Sequence, residues 1–486
     1  MIEKIAKNTT WLTASLILQK TLSFFYFWFI SNNLFPSDLG KYVFALSFTT
    51  LFSIFIDLGL SQILIREGAK NFSRTNKYLK NILALKIPLL ILTILVAVAV
   101  INLTGKSSEI RMLVYLAIIV MTLDSFTLSF FSVFRSTQLL KYESMSSVVF
   151  QVINILVGVF ALKLTGRLEF LILALICASA FNFIIALVLL KTKFKFSLMP
   201  SWDKETIKIL LKILPAFALA GIFIKIYNTS DSVLLGYISG DKAVGFFAVP
   251  AKVIFAIQMI VAGSFAAAIY PAFSNFYITS KEFLKNSFEN SVFYLLLISV
   301  PSSLGIYVLA PKIIDLLWPQ YQQSVSTFKV MALAMPFIFV AFATGTLLNA
   351  CDRQNKNTIN RGIITLVSLF LNILLIPRYD QLGSGMAFLC TNIALVALDT
   401  NAVRKLLPKT GSYIARYLYK IIVASSAMVI TLKILSDFNI IFVIGLAATV
   451  YFAVLYLLKT FTSKDIRNLG KIIFSAEDEK VTPSNN

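Results

Sequence analysis

From Thr9 to Leu458 the chain is built of apolar runs of about 18 to 26 residues separated by short polar turns, the length a helix needs to cross a hydrocarbon layer. Few folds accommodate such a pattern. Strands of an outer-membrane barrel alternate apolar and polar residues over about ten positions, so these long continuous runs exclude a barrel. Fourteen runs are separable, with twelve as the alternative count, and the expected fold class is an all-α polytopic membrane protein. A mean hydropathy of +0.82 and a charged fraction of only 14% exclude a water-soluble domain of this size.

The formal net charge of +21 would suggest nucleic acid in a soluble protein. Here topology absorbs it, because loops on the cytoplasmic side of a membrane collect Lys and Arg. Loops on alternate sides hold roughly 30 against roughly 6 of these residues. That sorting predicts a plasma (inner) membrane protein with both termini cytoplasmic and no nucleic-acid partner. The basic start MIEKIAKN precedes a full span without a small-residue cleavage site, which predicts a retained first helix. Outside loops are short, and the longest, 311–324, carries Trp318 and Tyr321 placed like interfacial anchors. The tail beyond Lys459 reads as disordered.

Catalytic and metal chemistry have little to build on. There is no histidine, no GxxxxGK[ST] loop, and the three cysteines Cys177, Cys351 and Cys390 show no metal or disulfide spacing, so neither an enzyme nor a resident cofactor is expected.

An internal repeat organises the chain. Lys20 precedes Gly40 by twenty residues and Lys225 precedes Gly245 by twenty, each glycine opening a span after a short outside turn. Spans 1 and 2 therefore echo spans 7 and 8 in the same orientation, a parallel repeat about an axis along the membrane normal. The expected division is an N-terminal six-helix lobe (1–190), a cytoplasmic linker (191–212), a C-terminal six-helix lobe (213–403), two further spans (404–458) and a tail (459–486).

Charges within the spans are the candidate functional residues, because each is expensive in hydrocarbon and should face protein or water. Lys86, Lys163, Lys329 and Lys433 lie near span ends and are expected to snorkel to headgroups. For Asp399, a local ion pair with Arg404 and a functional site explain the charge equally well. Asp57 lies inside the second span, where a structural partner on a neighbouring helix and a cavity role are both open. Lys20 and Lys225 sit near mid-span at matching repeat positions, and Lys252 lies two turns into the eighth span. On the seventh span Lys225, Asn228, Thr229, Ser232 and Gly236 form a polar stripe at helical spacing. A polar translocation cavity and ion pairs with Asp124 or Asp231 are the competing readings of these lysines. Asp57 has no acidic counterpart in the second copy, where Ala262 falls, so the lysine pair is the stronger candidate.

The stretch YVFALSFTTLFSIFIDLGLSQILIREGAK, the segment Asp231 to Gly236 followed by Val244 to Phe247, and LLNACDRQNKNTINRGIITLVSLFLNILLIP resemble signatures of the Wzx-type O-antigen and capsule flippases, the polysaccharide branch of the MOP superfamily. The resemblance implies two lobes around a central cavity, alternating access, and a substrate that is an undecaprenyl-diphosphate-linked oligosaccharide moved from the cytoplasmic to the periplasmic leaflet. It further implies membrane lipids, a polysaccharide polymerase and chain-length machinery as partners. Drive from a proton or sodium gradient or from the membrane potential is open. One departure is visible: Tyr379-Asp380 replaces the family's usual tyrosine-glycine pair. The competing readings are a drug/cation antiporter of the multidrug-extrusion type, a membrane-embedded polysaccharide polymerase or ligase, and a flippase for a lipid-linked peptidoglycan precursor. Short outside loops weigh against the polymerase, and a cationic cavity weighs against cationic drugs.

Overall fold

The computed structural model describes residues 2–408, 410 and 412–460, so the tail expected to be disordered lies almost wholly outside the described residues. Among those described there is no strand, and sixteen α-helices follow one another. They are α1 (Ile2–Asn33), α2 (Pro36–Asp57), α3 (Leu60–Lys70), α4 (Thr75–Leu103), α5 (Ser108–Ser136), α6 (Leu140–Thr165), α7 (Leu168–Lys193) and α8 (Lys204–Ile238). The second half comprises α9 (Asp241–Ile257), α10 (Ser264–Thr279), α11 (Lys281–Leu317), α12 (Ser324–Leu333), α13 (Met335–Ala350), α14 (Gln354–Leu406), α15 (Ser412–Ile434) and α16 (Ile440–Leu457). Among the described residues ten helices are long and apolar enough to cross a membrane, and twelve if each of two bent pairs forms one span. The fifty-three residues of α14 hold two spans folded at Asp380, and α1 is long enough but carries Gln19 and Lys20 at its middle. The protein is thus a polytopic all-α membrane protein.

Three spans differ from their sequence reading. The second breaks at Leu58 and Gly59, both left-handed (φ 45° and 83°), which ends α2 directly after Asp57. The tenth bends by 42° between α12 and α13, where Pro336 cannot donate to the preceding turn. The eighth passes through a π-helical turn, Gln258–Gly263, joining α9 to α10. The expected linker is shorter than composition suggested, with only 194–203 between α7 and α8. Its last residue caps α8: Asp203 accepts from the Thr206 amide (3.0 Å) and hydroxyl (2.5 Å) and pairs with Lys77 of α4 at 2.9 Å. Hydrogen bonds from Thr206 and Lys77 hold this carboxyl at about 2, below the usual carboxylate range.

The two repeated glycines meet. A Cβ on Gly40 would stand 1.7 Å from the Asp241 carbonyl oxygen, and one on Gly245 would stand 1.9 Å from the Pro36 carbonyl oxygen. No side chain fits there, so the N-terminal ends of α2 and α9 pack backbone to backbone. This contact lies on the lysine-poor face, and two clasps flank it. On one side Lys106, in the α4–α5 turn, donates to the Gly236 carbonyl (2.5 Å), lies 3.5 Å from Asp241 and covers the Phe44 ring at 4.6 Å. On the other, the α11–α12 turn grips the α1–α2 turn. Trp318 Nε1 donates to Ser31 Oγ (2.7 Å), while Gln320 Nε2 (2.8 Å) and the Tyr321 hydroxyl (3.0 Å) donate to the Leu34 carbonyl. Trp318 and Tyr321 are therefore fully buried rather than interfacial anchors, since these bonds satisfy their polar ends inside the protein.

Asp380 adopts φ 48°, ψ −130°, a conformation that favours glycine, at the position where the resembling family places one. Asp380→Gly is expected to relieve about 1 kcal/mol of strain and raise the melting temperature of the purified protein. Gly40→Ala and Gly245→Ala are expected to cost about 1–3 kcal/mol each by overpacking, with less than additive loss in the double variant because one contact is affected. Unaltered melting in both alanine variants would remove the contact from the account.

Candidate functional site

The break after Asp57 places a carboxylate inside the helix bundle, and the bundle answers with a cation. Lys86 of α4 is 0% exposed, with its ammonium 2.5 Å from Asp57 Oδ1. It donates further to the Ser125 carbonyl (2.7 Å) and Ser125 Oγ (3.3 Å). Asp57 also accepts from Ser61 Oγ at 2.5 Å, and Ser61 touches Ser129 at 3.1 Å. Lys86 thus does not snorkel, because a buried pair with satisfied hydrogen bonds costs less than a lone ammonium at that depth. Lys163 and Lys433, by contrast, are exposed.

Lys225 reaches out from α8 toward the same region. Its ammonium donates to Ser53 Oγ of α2 at 3.2 Å and feels the charges of Asp124 and Asp57 without ion-pair contact. These groups line a cavity of about 220 Å³ together with Thr49, Thr50 and Ser125. Across the molecule Lys252 of α9 donates to Ser23 Oγ of α1 at 3.1 Å and stands 5.4 Å from the Phe27 ring centre. Lys20 stands one turn before Ser23 and is exposed. Among the described residues, none of Lys20, Lys225 and Lys252 forms an ion pair.

The remaining sequence candidates separate. Asn228 is exposed and lines a different cavity, of about 260 Å³, with Tyr227, Gln258, Arg361 and Asn392; the π-helical turn presents Gln258 there. Asp231 is 8% exposed and accepts from Asn372 Nδ2 at 2.8 Å, and Ser384 donates to Asn372 Oδ1 at 3.0 Å. It belongs to the α8–α14 seam, not to the lysines. Asp399 does not pair with Arg404. It is fully buried and takes its hydrogen bonds from Thr344 (2.9 Å) and Asn360 (2.8 Å), because its helix turns it inward while Arg404 is exposed. Arg361 escaped the sequence reading, which placed it at the start of the eleventh span (360–377) but weighed only lysines and aspartates within the spans. The signal was the helical spacing of Asn357, Asn360 and Arg361, three positions of one face.

Lys86→Met is expected to destabilise the protein by about 3 kcal/mol, since Asp57 is left charged and buried. Asn at 57 combined with Met at 86 should recover most of that loss. Thermal melting of both variants in detergent measures this, and equal loss in the single and double variants would contradict the pairing.

The family described as polysaccharide biosynthesis protein matches residues 5–277. An uncharacterised membrane protein of Methanocaldococcus jannaschii is 23% identical over 418 residues, covering 79% of this chain and 81% of its own. The capsular polysaccharide biosynthesis protein CapF of Staphylococcus aureus is 22% identical over 367 residues, covering 74% and 90%. Among solved structures, the lipid II flippase MurJ in an inward closed conformation superposes with a TM-score of 0.74 at 14% identity, covering 92% of this chain and 98% of that one. At that identity the likeness speaks for the fold.

Proposed function

Since the chain belongs to the polysaccharide biosynthesis protein family, we propose that it is a flippase for a polyprenyl-diphosphate-linked oligosaccharide, an O-antigen or capsular repeat unit. The observation that carries this reading is that Lys252 of α9 bonds to Ser23 of α1, one turn from the exposed Lys20, with no carboxylate bonded to either lysine. Two cations without a bonded carboxylate in a membrane protein ask for an anion. A diphosphate supplies it, while the sugar occupies the polar cavities and the polyprenyl chain stays in lipid. The capsular relative and the MurJ fold support a lipid-linked saccharide over a cationic drug.

In this reading two six-helix lobes, 1–190 and 213–403, rock about the Gly40–Gly245 contact between forms open to either side of the plasma membrane, with both termini cytoplasmic. The protein is a transporter and not an enzyme. Outward movement of each uncompensated negative charge gains about 2.3 kcal/mol per 100 mV of inside-negative potential.

Lys20→Ala combined with Lys225→Ala, and Lys252→Ala alone, are expected to abolish surface polysaccharide in a strain that depends on this protein, at unchanged protein level. Lipid-linked oligosaccharide should then accumulate in the cytoplasmic leaflet. Normal surface polysaccharide in the lysine variants would overturn the proposal.

A further inference from the structure

We propose that a second cavity, between α8, α10, α13 and α14, is a saccharide subsite for a sugar carrying a carboxylate, with Arg361 as the group that reads the charge. The inference rests on the flippase reading and names its substrate class more narrowly. The cavity holds about 660 Å³, within the range of about 300–1,000 Å³ usual for small-ligand sites. Phe223, Tyr270 and Phe342 supply aromatic walls, and Asn349, Asn357 and Thr358 supply neutral polar groups. That mixture suits a hydroxylated ring, whose C–H faces pack on aromatics while its hydroxyls bond to amides.

Two groups in it lack partners. Arg361 forms no hydrogen bond through its guanidinium and no ion pair among the described residues, although it borders both this cavity and the 260 Å³ one. Asp399 feels its charge but spends both oxygens on Thr344 and Asn360. Asn357 is 7% exposed; its Nδ2 donates to Asn349 Oδ1 at 2.9 Å, while its Oδ1 has no donor. Both groups converge on the bare face of Gly345, where a Cβ would lie 3.1 Å from Arg361 Nη2, 3.7 Å from Asn357 Nδ2 and 3.8 Å from Asn357 Oδ1. A donorless buried acceptor beside an acceptorless guanidinium describes a ligand with a hydroxyl adjacent to an oxyanion. The planar fork of arginine matches a carboxylate bidentately, so a uronate residue meets both needs at once.

The other oxyanion of the proposed substrate is its diphosphate, and the test separates the two. Purified full-length protein in nanodiscs is titrated with a glucuronate-containing disaccharide, its neutral glucose counterpart and inorganic pyrophosphate. Wild type should bind the uronate at least tenfold more tightly than the neutral sugar. Arg361→Gln should erase that preference, Arg361→Lys should keep part of it, and neither should alter pyrophosphate binding. Gly345→Leu, which fills the convergence point from another helix and leaves the charge intact, should weaken the uronate equally. Undiminished uronate preference in Arg361→Gln, or pyrophosphate binding lost with Arg361, would overturn the subsite. A chain that binds uronate through Arg361 yet moves no lipid-linked sugar in vesicles would keep the subsite and dismiss the flippase.

Discussion

An ammonium group inside a membrane protein must find a counter-charge, a hydrogen-bonding shell or water, and this constraint separates Lys86 from Lys20, Lys225 and Lys252. Lys86 finds the first: it is sealed against Asp57 and Ser125, and the pair ties α4 and α5 to the end of α2. Lys225 finds the hydroxyl of Ser53, and Lys252 finds the hydroxyl of Ser23 and the ring of Phe27, each on a helix from the opposite half of the chain. Lys20 is exposed one turn from the Lys252–Ser23 contact. The paired lysine builds the fold, and the unpaired ones leave positive charge at the seam between the halves.

At one end of that seam the two halves meet backbone to backbone. Gly40 and Gly245 let α2 and α9 touch where they begin, and the Lys106 and Trp318 turns brace the contact from either side. The braces occupy corresponding places in the repeat: the turn after the third span holds the turn between spans seven and eight, and the turn after the ninth holds that between spans one and two. Toward the other face α10 packs on α11 and α13 instead of on the N-terminal helices. Beyond the glycines the halves stay in contact along α2, which packs on α8 from the Phe44–Gly236 contact to the Gly59–Phe217 contact.

Much of this was legible from the chain because hydropathy and charge sorting are strong signals. The polytopic all-α fold, the repeated Lys–Gly spacing and the three mid-span lysines all follow from one-dimensional patterns. What stayed hidden depends on partners distant in sequence. Lys86 and Lys252 look alike along the chain, yet one meets a carboxylate on another helix and the other meets a hydroxyl. Trp318 and Tyr321 have the amphipathic shape that suits an interface and equally suits a buried clasp. The break at Leu58 was masked because leucine seldom adopts a left-handed conformation, so only Gly59 hinted at it. Arg361 was passed over at the start of its span, whereas the departure at Asp380 was visible and marks the turn in α14.

The central claim is that Lys20 and Lys252 together form an anion site for a lipid diphosphate. It is tested most directly by measuring equilibrium binding of sugar-free undecaprenyl diphosphate to the purified protein in nanodiscs of neutral lipid. The account predicts saturable binding that weakens as salt rises and falls at least tenfold when both lysines are replaced by alanine. Equal affinity in the wild type and the double variant would contradict it.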